Sequence, residues 1–386
     1  MSANSLAGIV TVAFFGVLLC VTPIITRPTV VFGVRIPGDR AGAPVIRRER
    51  RAYYWRTAVI GVCCTVTAVL VSELGPWWPT RVILALELAA DLGCLQLARK
   101  NIAAVKKTEG WFEGLRQTVA TDTSWREDPP RFPVRWLLPA LMVIAATVIV
   151  GAVRYPGLPA RLPAAWASGH HAPKSIVAAF AFVVGQLYVT TLWTGMMLII
   201  YRSRPDIESA DAAESTRRYR RFLAAFTRAV LTLMALVNLT LLLATLPRWQ
   251  VYRLSGLASA LPLLPLLAGL VIFAVVAVRV GQGGSRLPRL SPVVNIREAR
   301  LARIGAGPSV GAGPGFNSPA RTDRDDDRFW KAGLFYVNRD DPSVMVSNRF
   351  GVGWTFNFGN RIACLIFAGI IAAPAGLAAI MLAAGT

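Results

Sequence analysis

Residues 57–98 read TAVIGVCCTVTAVLVSELGPWWPTRVILALELAADLGCLQLA, two apolar runs (57–74 and 80–98) around a short Gly, Pro and Trp turn. A helix rises 1.5 Å per residue and the hydrocarbon core is ~30 Å thick, so about 20 apolar residues cross it. The pair therefore reads as a helical hairpin through a bilayer. Working outward, comparable runs occur at 5–25, 136–153, 175–201, 222–246, 256–280 and 362–384. The expected fold is an all-α integral membrane protein with about eight transmembrane helices and a small cytoplasmic β-sheet module before the last span. Composition agrees: of 386 residues 54% are hydrophobic and 16% charged, against roughly 25% charged in soluble domains. The first run follows MSANSL, which has no Lys or Arg, so it is read as a span and not as a cleaved signal.

The basic residues orient the chain. There are 42 Lys and Arg against 21 Asp and Glu. Lys and Arg number 8 in residues 26–56, 8 in 99–135, 6 in 202–221 and 13 from Arg279 to Arg361. The intervening loops 75–79, 154–174 and 247–255 hold none, 3 and 2. This alternation places the basic loops in the cytoplasm of a plasma-membrane protein and both termini outside. It also disposes of a nucleic-acid partner: the arginines sit at span edges, where they meet lipid phosphate, and no DNA- or RNA-binding motif accompanies them. The bilayer is the first partner.

The chain divides into helices 1–4 with their basic loops (1–153), an outer loop (154–174), helices 5–7 (175–280), a Gly/Pro-rich linker (281–320), the β module (321–361) and helix 8 (362–386). In the module, strands are expected at 334–337, 344–346 and 354–358, forming one three-stranded sheet with Trp330, Tyr336 and Trp354 as a common core. A β-prone stretch at Val30–Ile36 offers it a docking partner. Arg-Pro followed by Arg/Tyr clusters in the first and third basic loops hints at two related halves, spans 1–4 and 5–8.

Polar groups inside apolar runs are the candidate sites. Glu87 and Asp91 have i,i+4 spacing and share a helix face. In a bilayer such charges mark ion or substrate paths or hold a bundle together. By depth counting, Asp91 and Arg228 lie level on antiparallel helices and are expected to pair, which leaves Glu87 for reversible protonation. Gln186 and Asn238 read as interhelical hydrogen-bond formers. Pro262 and Pro265 in span seven and Pro374 in span eight predict kinks. The five cysteines lie in apolar runs, and the two histidines, His170 and His171, are adjacent. No metal or cofactor site is expected, and no catalytic motif is present, so the chain is not expected to be an enzyme.

Two segments resemble known families. The outer loop carries Leu158-Pro159, Leu162-Pro163, Trp166, Gly169 and Lys174. This resembles the LP-x-x-IP signature of a bacterial membrane domain of unknown function, also present in immunity proteins of the sporulation-delaying-toxin type; Ala165 stands where that family has His. The second segment carries Trp330, Gly333, Phe335, Tyr336, Asn338, Asp341, Pro342, Gly351, Gly353, Trp354, Thr355 and Asn357. It resembles another uncharacterised bacterial domain that often follows the first. The resemblance implies a sensor or immunity-type binding protein, with an extracellular peptide or envelope component and a cytoplasmic protein as partners. The alternative from the residues themselves is a proton- or ion-coupled secondary transporter using Glu87 and Asp91.

Overall fold

The computed structural model describes residues 3–72, 78–111, 129–163, 171–203, 212–254, 256–288, 324 and 326–385. Eight α-helices occur among them: α1 (Ala3–Ile25), α2 (Pro44–Ser72), α3 (Trp78–Thr108), α4 (Leu138–Arg154), α5 (Ile176–Arg202), α6 (Ala212–Thr245), α7 (Leu264–Val280) and α8 (Arg361–Gly385). Six helical stretches are long and apolar enough to cross a membrane: Gly8–Ile25, Pro44–Ser72, Val134–Gly157, Ile176–Arg202, Glu214–Thr245 and Ala258–Gly284. The chain is thus a mostly helical, multi-pass membrane protein. The helix α3 falls outside that set because Arg81, Glu87 and Asp91 interrupt its apolar stretch. The apolar part described in α8 is shorter, Arg361–Gly376.

The helices pack as two groups. α1, α2 and α3 form one bundle, and α6 is the centre of the other, touching α4, α5 and α7. α8 lies on α5, where the Tyr188 hydroxyl donates to the Ile370 carbonyl at 2.8 Å. α1 joins the groups by leaning on α7 and on the 3-10 turn Gly256–Leu263 before it. The packing divides after the third helix. The expected prolyl kink of span seven is corrected. Pro262 lies in the 3-10 turn and Pro265 in the first turn of α7, where a missing N–H costs nothing. Pro374 is inside α8.

Small sheets cap both ends. The stretch Val30–Ile36 is a hairpin and not one strand: β1 (Val30–Val31) pairs with β2 (Val34–Arg35) across Phe32 and Gly33, both with positive φ. Positive φ at both loop residues is the geometry of a tight two-residue hairpin turn. At the opposite end β3 (Arg161–Pro163) pairs antiparallel with β4 (His171–Pro173). Near the C-terminus β5 (Trp330–Lys331) pairs with β6 (Phe335–Tyr336), and β7 (Met345–Ser347) with β8 (Trp354–Phe356). The expected three-stranded sheet is therefore two hairpins, joined by a single parallel bridge between Tyr336 and Asn357. Asn357 performs the joining through its amide: it accepts from the Asn338 N–H at 3.0 Å and donates to the Asn338 and Asp341 carbonyls at 2.8 and 2.9 Å.

The expected common core of the module also divides. Trp330 and Tyr336 pack together with Val346, rings 5.2 Å apart. Trp354 instead leaves the module and inserts against Phe222 and Phe226 of α6, with centroid separations of 5.5 and 5.2 Å. A module this small buries too little of its own surface. Its aromatics are shared with the helices beneath it.

Candidate functional site

The inner face of α3 is one stripe, Ile83, Glu87, Asp91, Leu95, Ala98 and Ile102, all buried against α1 and α2. Steps of three and four residues keep a stripe on one side of a helix. Glu87 is 0% and Asp91 1% exposed. None of their four carboxyl oxygens has a hydrogen-bond partner among the described residues. A buried, unpartnered carboxylate is costly in any protein, and the cost persists in a bilayer.

Two glycines make room for Glu87. A Cβ on Gly16 of α1 would lie 2.7 Å from Glu87 Oε1 and 3.1 Å from the Gly61 Cα of α2. A Cβ on Gly61 would lie 3.4 Å from the Gly16 Cα and 3.6 Å from Glu87 Oε1. The two backbones thus cross closely, and the carboxyl occupies the crevice that side chains would otherwise fill. One helical turn along α3, about 6 Å, Asp91 comes within electrostatic range of Tyr53, Cys64 and Cys94. Cys20 of α1 interacts with Tyr53 in the same way. The Tyr53 hydroxyl donates to the Leu19 carbonyl at 3.1 Å. Its ring packs on Phe32 of the β1–β2 turn at 4.9 Å and on Phe350 of the C-terminal module at 6.4 Å. A polar column therefore runs down the three-helix bundle from Glu87 through Asp91 to Tyr53, and its lower end touches the module.

The module is tied to that end by charge. Arg349, 5% exposed, donates to the Gly33 carbonyl at 3.1 Å and to the Arg324 carbonyl at 3.0 Å, and it pairs with Asp327. Lys106 of α3 reaches the other Asp327 oxygen at 2.5 Å. Burial raises the Asp327 carboxyl, but Arg349 and Lys106 together outweigh it and hold the group below its ordinary value. Asp341 is likewise held low: Arg324 and Ser343 outweigh burial. Burial lifts the Tyr336 hydroxyl above its ordinary value. On the α6–α7 side, Gln282 forms a reciprocal pair with Gly353, accepting its N–H at 2.7 Å and donating to its carbonyl at 2.8 Å. Gly351 N–H donates to Thr26 Oγ1 of the segment after α1 at 2.9 Å. The module thus straddles both helix groups.

The remaining candidates fall elsewhere. Asp91 does not pair with Arg228. Arg228 is exposed on α6 and stacks over the Trp136 ring at 6.0 Å, so it reaches the surface along its own stem while Asp91 stays inside the other bundle. Gln186 donates to Thr147 Oγ1 at 3.0 Å and to the Asn238 carbonyl at 2.8 Å, and Asn238 donates to Thr190 Oγ1 at 2.9 Å. This chain knits α4, α5 and α6.

In the opposite cap, Leu158 and Leu162 are buried with Trp249. Pro159 lies between them in sequence, and Pro163 ends β3. Lys174 donates to the Pro156 and Leu158 carbonyls at 3.1 Å and covers the Tyr155 ring. Trp166 and Gly169 lie outside the described residues, as do residues 289–320 of the linker, His170 and much of the 99–135 loop, whereas the start of the linker holds the 3-10 turn Gln282–Gly284. Gly333, Gly351 and Gly353 all have positive φ, so the glycine pair in G-x-G serves the turn before β8. Asn338 and Pro342 sit in the link between the hairpins, where the Pro342 carbonyl accepts from Asn360 at 2.9 Å.

Sequence reading missed Gly16, Gly61 and Tyr53 as parts of one site. The available signal was the small residue in each of two neighbouring spans, which permits close backbone approach. The cysteines are free thiols. Among the described residues no group of three or more His, Cys, Asp or Glu is arranged to hold a metal ion.

Residues 339–363, which cover β7, β8 and the start of α8, match a family of unknown function, DUF5808. No curated protein and no solved structure matches the chain.

Proposed function

We propose that the chain is a plasma-membrane sensor whose input is a proton taken up or released at Glu87 and Asp91, and whose output is the seating of the C-terminal module. The observation that carries this reading is the pair of fully buried carboxyls without hydrogen-bond partners among the described residues, Glu87 in the crevice of Gly16 and Gly61 and Asp91 one turn along α3. An unpaired acid in a span costs roughly 2.5–3.5 kcal/mol on insertion scales. A proton removes that cost, and deprotonation restores it. The column then ends at Tyr53, whose ring leans on Phe350, so a change in the packing of α1, α2 and α3 reaches the module directly. The groups within electrostatic range of the carboxyls are Tyr53 and Cys64 of α2, with Cys94 on α3 itself; Cys20 of α1 lies within range of Tyr53, and Arg56 of α2 within range of Cys94. Among the described residues no basic side chain is hydrogen-bonded to either carboxyl. The charge of the loops supports a cytoplasmic module with both termini outside.

Hydrogen exchange of residues 327–358 in the full chain, reconstituted in nanodiscs, tests this. Between about pH 5 and 8 the only side chains that ordinarily titrate are histidines, and this chain's two, His170 and His171, lie in the outer-loop segment. After correction for intrinsic rates, protection of the module should change with pH in the wild type. It should not change in Glu87→Gln/Asp91→Asn. A pH-independent wild type would overturn the proposal. The same carboxyls favour one other reading, coupled transport. Proton flux into proteoliposomes that depends on both carboxyls, without a change in the module, would move the conclusion to that reading. Under the immunity-type reading the peptide would meet the outer loop 154–174, and protection of cells from a toxin peptide would be retained in Glu87→Gln/Asp91→Asn.

A further inference from the structure

The helix α2 begins well before its apolar part, and its two faces differ sharply. Ile46, Glu49, Tyr53 and Thr57 face the bundle and are buried. Glu49 is occupied there, accepting from Asn101 Nδ2 at 3.0 Å. The opposite face carries Arg47, Arg48 and Arg51, all exposed, followed by Trp55 at 64% exposure. These residues, with Ala52, line an open depression of about 480 Å³. Among the described residues none of the three arginine side chains forms an ion pair or hydrogen bond, whereas neighbouring Arg40 reaches Asp39 and Glu109. Positions 47, 48 and 51 lie within about one turn of the helix backbone, a rise of ~6 Å. That spacing suits two or three of them closing on one phosphate.

The same face continues as Val59, Val62, Val66, Val69 and Leu70, all exposed. Steps of three and four carry this apolar stripe down the helix directly beneath Trp55. From Trp55 to Leu70 the stripe runs ~22 Å, more than one leaflet's half of a ~30 Å core. A ligand on this face would therefore have an anionic head among the arginines, an aromatic at the interface and an extended apolar tail below. We infer that Arg47, Arg48, Arg51 and Trp55 form a binding site for the phosphate headgroup of an anionic phospholipid, with its acyl chain laid along Val59–Leu70. The occupant is a lipid and not a soluble phosphate because the cationic depression opens onto the apolar stripe. Arginine suits this role through paired donors that match phosphate oxygens.

The test uses the full chain in phosphatidylcholine nanodiscs doped with phosphatidylglycerol, with retained lipid measured by mass spectrometry after extraction into detergent. Wild type should retain phosphatidylglycerol selectively. R47Q/R48Q/R51Q should lower that retention roughly tenfold or more, since each basic residue at an anionic surface contributes appreciably. The control R131Q/R135Q/R221Q, which removes three other exposed arginines, should leave it unchanged. Equal loss in both variants would mean a diffuse field and would overturn the site, as would unchanged retention in the first. Displacement of the lipid by millimolar inorganic phosphate would overturn the lipid assignment. If the Gln variant does not fold, R47K/R48K/R51K keeps the charge and removes the bidentate geometry. Partial loss of selectivity in it supports the site, and full selectivity refutes it.

Discussion

The contact of two turns at Gly33 and Gly333 is a close backbone joint between the module and the β1–β2 turn, and Gly33→Ala attacks it. Gly33 has φ +76°, and a Cβ there would sit 2.7 Å from the Gly333 carbonyl oxygen and 2.9 Å from the Gly333 Cα. The left-handed backbone costs an alanine ~1–2 kcal/mol. The clash is with backbone, so no rotamer relieves it and the turns must separate by several tenths of an ångström. Overpacking of this kind costs ~1–3 kcal/mol. Separation also stretches the bond from Arg349 to the Gly33 carbonyl, 3.1 Å at present. The sum is about 2–5 kcal/mol, which makes local opening of the module roughly 30- to 5,000-fold more frequent. Hydrogen exchange of amides in β5–β8 reads that frequency. Gly38→Ala is the control: nothing lies within 4 Å of its Cβ position, and exchange should not change. Gly33→Asn separates the causes, because Asn tolerates positive φ but still carries the Cβ. Wild-type exchange in Gly33→Ala would show that the module is not seated on the β1–β2 turn and would refute the reasoning. Wild-type exchange in Gly33→Asn alone would assign the whole cost to backbone strain.

Other outcomes follow from the same joint and its surroundings. Asp327 is held below its ordinary carboxyl value, so its pairs stabilise the module above the unfolded value of about 3.9 and fade as pH falls through the folded value. Asp327→Asn should cost ~1–2 kcal/mol at neutral pH, discounted for partial exposure, and should flatten the acid limb of a melting-temperature profile. An unaltered acid limb would show that other carboxyls govern it. Gln282→Ala removes the acceptor of the Gly353 N–H in a site where Gln282 is 1% exposed, while the Gly353 carbonyl keeps the Asn348 N–H at 2.9 Å. A loss of ~1–3 kcal/mol in module protection is expected from the one buried N–H left unsatisfied, and a loss under ~0.5 kcal/mol would mean that water replaces the side chain. In a Cys-less background, an impermeant maleimide on intact cells should label Ser168→Cys and spare Ser347→Cys, and labelling at 347 from outside would reverse the proposed orientation.

The helical membrane character was legible in residues 57–98 and their counterparts, because span length and hydropathy are properties of contiguous sequence. The i,i+4 placement of Glu87 and Asp91 on one face was legible for the same reason: helical period is local. The strand-prone character of 330–358 also showed in its residues. How those strands pair did not, since pairing depends on Asn357 bonding to Asn338 and Asp341 some 16 to 19 positions away. The expected pairing of Asp91 with Arg228 failed because depth along a helix says nothing about which helices touch. Only packing put Asp91 inside α1–α3 and turned Arg228 outward over Trp136. The crevice around Glu87 has the same origin: Gly16, Gly61 and Glu87 lie on three helices, and their meeting is a property of helix crossings that no window of sequence contains.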